Sequence, residues 1–254
     1  MLKTLNLAIE VLQMFTKKKP EWGGRELANE LGINHTKIYR ILETLDNNNF
    51  LSKDPNTKRY SLGLAVWELG MVMYDGLNVK ELIRPILDEL CDETGESVFL
   101  TILDQEEAVT LEAVEPTNKV KFSVSTGSRA PLYVGASYRS ILAYMPQASI
   151  DRILDPKKLK QYTGNTMADA DKLQSELHTI RNQGWAISQG EYTEDVIAIA
   201  VPLFDRHRII GSITVSGPVY RMTDEKVDLY LPLLKRASDE IADIIKRYQL
   251  TLVV

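Results

Sequence analysis

Residues 24–62 read GRELANELGINHTKIYRILETLDNNNFLSKDPNTKRYSL, and this stretch decides the fold of the N-terminal part of the chain. Apolar residues recur at helical spacing over residues 25–31 and again after Asn34, with Gly32 between the two runs as a helix stop. Asn34 suits the N-cap of the second helix because its side-chain oxygen can accept a free backbone N–H group. The stretch therefore predicts two short helices joined by a tight turn.

The second predicted helix has two chemically different faces. The face that we expect to pack in a core contains Ile38, Ile41, Leu42 and Leu45. Basic, aromatic and hydrogen-bonding side chains lie outside that stripe, in the first turns of the helix. A helix with one buried face and such side chains on the other has the chemistry that reading the DNA major groove requires. The DNA-contacting residues predicted on this helix are His35, Thr36, Lys37, Tyr39 and Arg40.

A predicted β-hairpin follows the two helices. Residues 50–53 and 59–62 alternate apolar and polar side chains on either side of a turn at residues 54–56. Cations on this protruding loop suit DNA phosphates or the minor groove beside the reading helix. These cations are Lys53, Lys58 and Arg59. Together the elements predict a winged helix-turn-helix; the alternative is an ordinary helix pair and hairpin with solvated charges.

The composition of the 254 residues, with 44% hydrophobic and 26% charged, is typical of a soluble globular protein with room for two domains. No run of eighteen apolar residues occurs, so we expect no membrane span. Glu10 and Gln13 interrupt the apolar N-terminus, which favours a first helix over a signal sequence. Cys91 is the only cysteine, which excludes an internal disulfide and favours a cytoplasmic location.

The net charge of −5 is unevenly distributed along the chain. Residues 1–62 carry 10 Lys and Arg against 7 Asp and Glu, whereas the remainder carries 20 against 28. A mildly basic N-terminal unit on an acidic body is consistent with DNA contact at one end only. Because the basic excess is small, affinity should depend on specific contacts and dimerisation more than on bulk charge.

Residues 64–74 form a run of helical length that is apolar nearly all round. Such a helix must be covered on most sides, either by a second copy of itself or by its own chain. Dimerisation is favoured because one reading helix covers only a few base pairs and such proteins pair across palindromes. The predicted domains are 1–63 for DNA binding, 64–77 for the linker and dimerisation helix, and 78–254 for effector binding.

The rest of the sequence alternates helical and strand-like runs. Helices are predicted at residues 79–94, 136–144, 169–182 and from Thr223 towards Ile245. Strands are predicted at residues 97–103, 108–114, 119–125, 196–204 and 208–215, and residues 127–132 are predicted to form a loop. This order predicts an α+β fold in which an antiparallel sheet is covered by helices.

The second half of the sequence contains no recognisable set of catalytic residues. The three histidines, His35, His178 and His207, lack the spacing of a zinc site. Residues 135–139 lack the second glycine of a nucleophile elbow, and Cys91 lies on an apolar helix face as a small core residue would. We therefore expect no catalytic residue, no metal and no cofactor.

A binding pocket fits the second half better than catalysis does. Free N–H groups at the start of the helix near Ala136 can hold a carboxylate or phosphate. Thr214 and Ser216 alternate along the last strand and so share one face of the sheet. The alternative is ordinary loop chemistry and half-exposed strand hydroxyls.

Three ordered blocks of the sequence resemble the IclR family of bacterial transcription regulators. They are GINHTKIYRILETL with RYSLG, then GSRAPLYVGASYRSILAYMP, then GWAISQGEYTEDVIAIAVPLFDRHRIIGSITVSGP. The resemblance implies a winged helix-turn-helix, a linker helix that dimerises and a C-terminal effector domain of GAF-like build. It also implies a homodimer, or a dimer of dimers, that binds double-stranded DNA at a palindromic operator. The effectors of the family are often organic acids, sugar-acid derivatives or aromatic acids.

The resemblance also assigns roles to particular residues. Thr36 and Arg40 match the recurrent Thr/Ser and Arg of the recognition helix. The residues that match the effector pocket are Leu132, Ala136, Ser137, Ser188, Glu191, Ala198, Thr214 and Ser216. The sequence departs from the common pattern at four positions, with Tyr138 and Asp195 in place of glycine, Ser188 in place of an acid and Ala198 in place of cysteine. Tyr138 can narrow the pocket, and Ser188 removes a charge.

The sequence thus predicts a DNA-binding transcription regulator, not an enzyme, that is controlled by a small-molecule effector such as an organic acid or sugar acid. The alternative is a DNA-binding protein whose C-terminal domain serves only oligomerisation.

Overall fold

The computed structural model describes residues 2–16, 18–76 and 82–248. The chain forms two compact units, Met1–Gly76 and Leu77–Val254. Residues 77–81, where the predicted linker ends and the predicted helix at 79–94 begins, lie outside the described residues.

The first unit contains four helices and three short strands within its described residues. They follow one another as α1 (Lys3–Gln13), β1 (Trp22–Gly23), α2 (Gly24–Glu30), α3 (His35–Asn47), β2 (Leu51–Lys53), β3 (Arg59–Leu62) and α4 (Leu64–Gly76). The strands form an antiparallel sheet in the order β1-β3-β2. The winged helix-turn-helix predicted from the sequence is confirmed, with one addition. Strand β1 was not predicted, because two residues are too few to show a period.

The turn between α2 and α3 forms as its sequence requires. Gly32 adopts a positive φ of 64°, which glycine tolerates without strain. The Asn34 side chain accepts the Thr36 N–H at 2.8 Å and caps α3. The apolar stripe of α3 packs into the core of the first unit, where Ile38 and Leu42 are completely buried. Leu45, at the far end of the stripe, is partly buried against the same cluster.

The second unit is built on a six-stranded antiparallel sheet in the order β6-β5-β4-β9-β8-β7. The strands are β4 (Ser97–Asp104), β5 (Glu107–Val114), β6 (Arg129–Pro131), β7 (Ala186–Gln189), β8 (Val196–Asp205) and β9 (Arg208–Pro218). The helices are α5 (Arg84–Thr94), α6 (Ala136–Leu142), α7 (Gln147–Ile153), α8 (Ala170–Gln183) and α9 (Asp224–Tyr248). The predicted α+β class and the helix-covered antiparallel sheet are confirmed.

Each face of this sheet packs on its own hydrophobic cluster. Side chains such as Leu100, Ile199 and Val215 point to the face covered by α5 and α9. Alternate residues such as Ala200 belong to a second cluster that α6, α7 and α8 share. The candidate site lies on this second face.

The structure corrects two predictions in the middle of the chain. Residues 119–125 form no strand, although their side chains alternate. Residues 127–132 are not wholly loop, because Arg129–Pro131 forms β6 and pairs with β5. Strand β6 thus takes the edge of β5 at residues 107–109. The helix α7 was also not predicted, and α6 ends at Leu142, two residues before its predicted end.

Candidate functional site

The first turns of α3 project from the first unit. His35, Thr36, Lys37 and Arg40 are exposed, whereas Ile38 between them has no exposed surface. Tyr39 is 41% exposed, and its ring packs over Gly24, where an added Cβ would lie 2.8 Å from a ring carbon. The predicted DNA-contacting residues of α3 therefore lie on one accessible helical surface, which Tyr39 also helps to fix against α2.

The wing carries two exposed cations, Lys53 at the end of β2 and Lys58 in the loop before β3. Asp54 shapes the loop because its carboxylate accepts the N–H groups of Asn56 at 2.6 Å and Thr57 at 2.9 Å. These backbone hydrogen bonds, from Thr57 and then Asn56, lower the pKa of the Asp54 carboxyl. The Asp54 carboxylate thus stabilises the turn, and the Lys53 Nζ lies over the Tyr60 ring, 5.3 Å from its centroid.

Arg59 has a different environment from the two wing lysines. Its guanidinium donates to Glu26 Oε2 at 3.0 Å and to the carbonyl oxygen of Glu21 at 3.1 Å. Lys19 also pairs with Glu26, and that hydrogen bond is the largest cause of the lowered pKa of the Glu26 carboxyl. Arg59 therefore ties β3 to α2, and a phosphate contact would have to compete with these ion pairs.

The predicted effector residues come together on the second face of the large sheet. Strand pairing places Ser188 opposite Ala198, Ala198 opposite Ser216, and Ser216 opposite Ser97. Because directly opposite residues of antiparallel strands share a face, these four form one row across the sheet. Thr214 shares their face two residues further along β9. We call these five residues the polar floor.

Helix α6 packs against β8 and β9 and is joined to the polar floor by hydroxyl groups. The Ser188 Oγ accepts the Ala136 N–H at 2.9 Å, so a hydroxyl of the floor already satisfies one free N–H group of α6. The Ser137 and Thr214 hydroxyls are hydrogen-bonded to each other. Ser216 donates to the carbonyl oxygen of Ile197 at 3.0 Å. The site is therefore built from hydroxyl groups.

Two of the predicted pocket residues have other partners. Leu132 has no exposed surface and belongs to the second hydrophobic cluster, which is the environment of a core residue. Glu191 is 8% exposed, and both of its carboxylate oxygens accept from the guanidinium of Arg139, which is 1% exposed. Arg139 also donates to the carbonyl oxygen of Ile187 at 3.1 Å. The negative charge of Glu191 is thus matched within the protein.

Of the α6 side chains next to the floor, Arg139 has a role that sequence reasoning did not assign, whereas Tyr138 was expected to narrow the pocket. An arginine two residues before the apolar run 141–143 was the available signal for Arg139. Burial is the main cause that raises the pKa of Tyr138 to about 12, and its hydroxyl is hydrogen-bonded to Thr110 on β5. The Tyr138 hydroxyl therefore stays protonated at neutral pH.

A separate groove of about 470 Å³ lies along α9 and the end of β8. Its charged walls include Arg206, Lys235, Asp239 and Asp243. It contains none of the eight predicted effector residues.

Metal or nucleophile chemistry has little support in the described part of the chain. No group of three or more His, Cys, Asp or Glu side chains there could hold a metal ion. Cys91 is buried, and burial raises the pKa of its thiol to about 11, so the thiolate is scarce at neutral pH. Within the same residues, no helix is both long and apolar enough to cross a membrane.

Comparison with known proteins gives two family matches that together cover most of the chain. Residues 4–55 match the IclR helix-turn-helix domain, and residues 71–243 match the bacterial transcriptional regulator IclR C-terminal domain. The HTH-type transcriptional regulator KipR of Bacillus subtilis is 31% identical over 241 residues, which cover 94% of this chain and 96% of KipR. The transcriptional repressor IclR of Escherichia coli is 24% identical over 242 residues, covering 94% and 88% of the two chains.

Solved structures agree with these matches. An IclR transcriptional regulator from Alicyclobacillus acidocaldarius superposes with a TM-score of 0.85 at 28% identity, over 96% of this chain and 98% of that one. An IclR homolog from Microbacterium hydrocarbonoxydans, complexed with 4-hydroxybenzoate, has the same fold with a TM-score of 0.80 at 19% identity, over 94% and 98%. The chain belongs to the IclR family of DNA-binding transcription regulators and is not an enzyme.

Proposed function

We propose that this regulator reads a palindromic operator with α3 and its wing, as a homodimer or a dimer of dimers. The observation that supports this most strongly is the division of α3. Its apolar stripe is buried, while His35, Thr36, Lys37 and Arg40 are exposed in its first turns. An exposed helix terminus with donors and cations can reach base edges and phosphates in the major groove. The wing lysines Lys53 and Lys58 would contact the adjacent backbone.

We further propose that a small organic acid or sugar acid binds at the polar floor and controls operator affinity. The support is the cluster of hydroxyl groups between α6 and the sheet, formed by Ser137, Ser188, Thr214 and Ser216. Ala198 lies in the same row without a polar group. A structure of this fold holding 4-hydroxybenzoate is compatible with such a site. Because the regulator acts on DNA, we place it in the cytoplasm.

Operator binding is tested by selecting duplexes from a random DNA library with the full chain and measuring the affinity of the selected sequence. Arg40→Ala should weaken binding about tenfold or more, because a good base contact is worth about 1–3 kcal/mol. The matched control is Arg208→Ala, which removes an exposed arginine from the second unit. If Arg40→Ala and Arg208→Ala bind the operator as well as the wild type does, α3 is not the reading helix.

Effector binding is tested by following the Tm of the full chain against a panel of organic acids and sugar acids. A bound ligand raises the Tm by mass action, and the same compound should change operator affinity. Thr214→Val, which keeps the shape but removes the hydroxyl, should reduce that Tm shift. Thr179→Val on the exposed face of α8 serves as the control. If no compound raises the Tm while DNA binding persists, the second unit serves oligomerisation alone.

A further inference from the structure

Two buried serine hydroxyls on the second face of the sheet make no hydrogen bond within the described chain. Ser97 on β4 and Ser212 on β9 have no exposed surface, and the Oγ of each has no partner. A buried hydroxyl without a hydrogen bond is unfavourable relative to one that is satisfied, because it has lost its hydrogen bonds to water without replacement. Two such groups on one face of one sheet are therefore candidates to contact a bound molecule.

The strand register places the two serines in different rows. Ser97 lies directly opposite Ser216 and belongs to the polar floor. Ser212 lies opposite Thr101, which in turn lies opposite Thr110 on β5. Ser212 and Ser216 are separated by about 14 Å along β9, since a strand rises about 3.4 Å per residue. Hydroxyl groups thus continue along the sheet well beyond the residues that were predicted to bind the effector.

Tyr138 divides this surface. Helix α6 packs on β8 and β9, yet the Tyr138 hydroxyl reaches Thr110 on β5. Thr110 shares a row with Thr101 and Ser212, so the Tyr138 side chain ends in that row. The tyrosine hydroxyl therefore lies in the Ser212 row, which is four residues along β4 from the row of Ser97 and Ser216.

The charges beside the polar floor balance each other. Arg139 is engaged by both oxygens of Glu191 and by the carbonyl oxygen of Ile187. The groups that remain for recognition are the Arg139 Nε, a buried donor without a partner, and hydroxyls, which can each donate and accept hydrogen bonds. Hydroxyl groups of a ligand are the natural complement of this arrangement.

We propose that Ser97 contacts the effector and that Tyr138 sets its length, so that the site takes a short molecule with hydroxyl groups on neighbouring carbons. The span from Ser216 to Thr214 is about 7 Å, which suits a chain of about three to five carbons. This inference rests on the proposed effector function and names the chemistry and length of its ligand.

The test is calorimetric titration of the full chain with four probes. D-glycerate and glycerol are short and hydroxylated, propionate is short without hydroxyl groups, and D-gluconate is hydroxylated but long. The wild type should bind glycerate or glycerol, and bind propionate and gluconate at least tenfold more weakly. A comparison of the affinities for glycerate and glycerol shows whether the carboxylate adds to recognition by the hydroxyl groups.

Two serine variants form a matched pair, because both remove an unpartnered, fully buried hydroxyl from the same face. Ser97→Ala should weaken binding of the short probe about five- to tenfold, which is the effect of one lost hydrogen bond. Ser212→Ala should leave binding within about twofold of the wild type. Both variants should fold at least as stably as the wild type, because each removes an unsatisfied buried group.

Tyr138→Gly should open the Ser212 end. This variant should bind D-gluconate at least tenfold more tightly than the wild type does, and in this background Ser212→Ala should weaken gluconate binding. Tyr138→Ala gives the same test if the glycine variant fails to fold.

The results distinguish a failure of this inference from a failure of the effector function on which it rests. Equal effects of Ser97→Ala and Ser212→Ala, or tight binding of propionate, would overturn it even if the effector function stands. Failure of all four probes to bind would overturn it while operator binding remains intact. If the probes bind as expected but leave operator affinity unchanged, the proposed control of DNA binding fails and the ligand assignment stands.

Discussion

Arg139 lies almost entirely out of contact with solvent, and its environment explains how α6 is held beside the loop after β7. Its guanidinium binds both carboxylate oxygens of Glu191. The carbonyl oxygen of Glu191 in turn accepts from Thr166 Oγ1 at 2.6 Å. A buried ion pair adds little net stability compared with apolar residues of similar shape, but breaking it leaves one charge uncompensated. Each residue of the pair therefore needs the charge of the other to be tolerated in its buried position.

Single and double replacement of the pair should have opposite consequences. Arg139→Met should lower the free energy of unfolding by about 3–5 kcal/mol, because Glu191 is left buried and unpaired. Adding Glu191→Leu should recover most of that loss. Urea unfolding of the wild type, both single variants and the double variant measures these differences.

The exposed ion pair of Arg236 with Glu93 provides the control, since Arg236→Ala should change stability by about 1 kcal/mol or less. If the loss of unfolding free energy in the double variant equals the sum of the losses in the two single variants, the two residues do not depend on each other.

Residue-level expectations succeeded where the cause is local. Asn34 caps α3, and Gly32 adopts a positive φ in the turn between α2 and α3. Each of these features follows from the conformational preference of that residue alone. The ion pair of Glu191 with Arg139 was not foreseen, because the two residues are 52 positions apart and no local pattern links them. The resemblance places Glu191 in the effector pocket, and that assignment stays a prediction. The special position of Ser97 was not recognised either, since only the strand register brings it opposite Ser216.

At the scale of elements, residues 119–125 show why alternation is an incomplete signal for a strand. The pattern describes how a strand would divide its side chains between two faces, but it does not supply a partner. In this fold β6 pairs with β5, with Ala130 opposite Ala108. The segment instead packs by an edge-to-face contact of Phe122 with Phe99, whose ring centroids are 5.8 Å apart. It is further held by the hydrogen bond from Arg221 to the carbonyl oxygen of Val120, at 2.9 Å.

Helix α4 presents apolar side chains that its own unit does not cover. Trp67 is 62% exposed and Val72 is 72% exposed. Leu64 and Leu69 are also exposed. A run of large apolar side chains on one helix is typical of a surface that binds another protein. The sequence predicts that a second copy of the helix is the partner, and the exposure supports that prediction.

Replacing Trp67 by Glu should therefore shift the protein from dimer towards monomer. The introduced charge would have to be buried in the interface, which is strongly unfavourable. Sedimentation equilibrium should show dissociation at a protein concentration at least tenfold higher than for the wild type. Affinity for a palindromic operator should also fall, because the two half-sites are then bound by independent monomers.

Tyr220→Glu is the matched control, since Tyr220 is 69% exposed in the second unit. If Trp67→Glu and Tyr220→Glu show the same dimer dissociation in sedimentation and the same operator affinity, α4 is not part of the dimer interface.

At the scale of the whole molecule, the chain combines two units that each have a complete core. The first core includes Val11, Leu27 and Leu42, and the second unit has one cluster on each face of its sheet. The order of helices and strands was sufficient to predict both architectures, because periodicity and turn residues are properties of short segments. The composition of the proposed effector site was less predictable, since the residues proposed for it come from α6, β4, β7, β8 and β9 and meet only in the folded sheet.

The central claim is that the first turns of α3 enter the major groove, and site-specific photocrosslinking tests it most directly. Lys37→Cys is labelled with a thiol-reactive photocrosslinker and bound to the selected operator; Lys172→Cys on α8 is the control. Cys91 should not react, because it is buried and its thiol pKa is raised to about 11. The account predicts crosslinks from position 37 to major-groove base edges in both half-sites and none from position 172. Crosslinks from position 172 alone, or from neither position on a saturated operator, would contradict it.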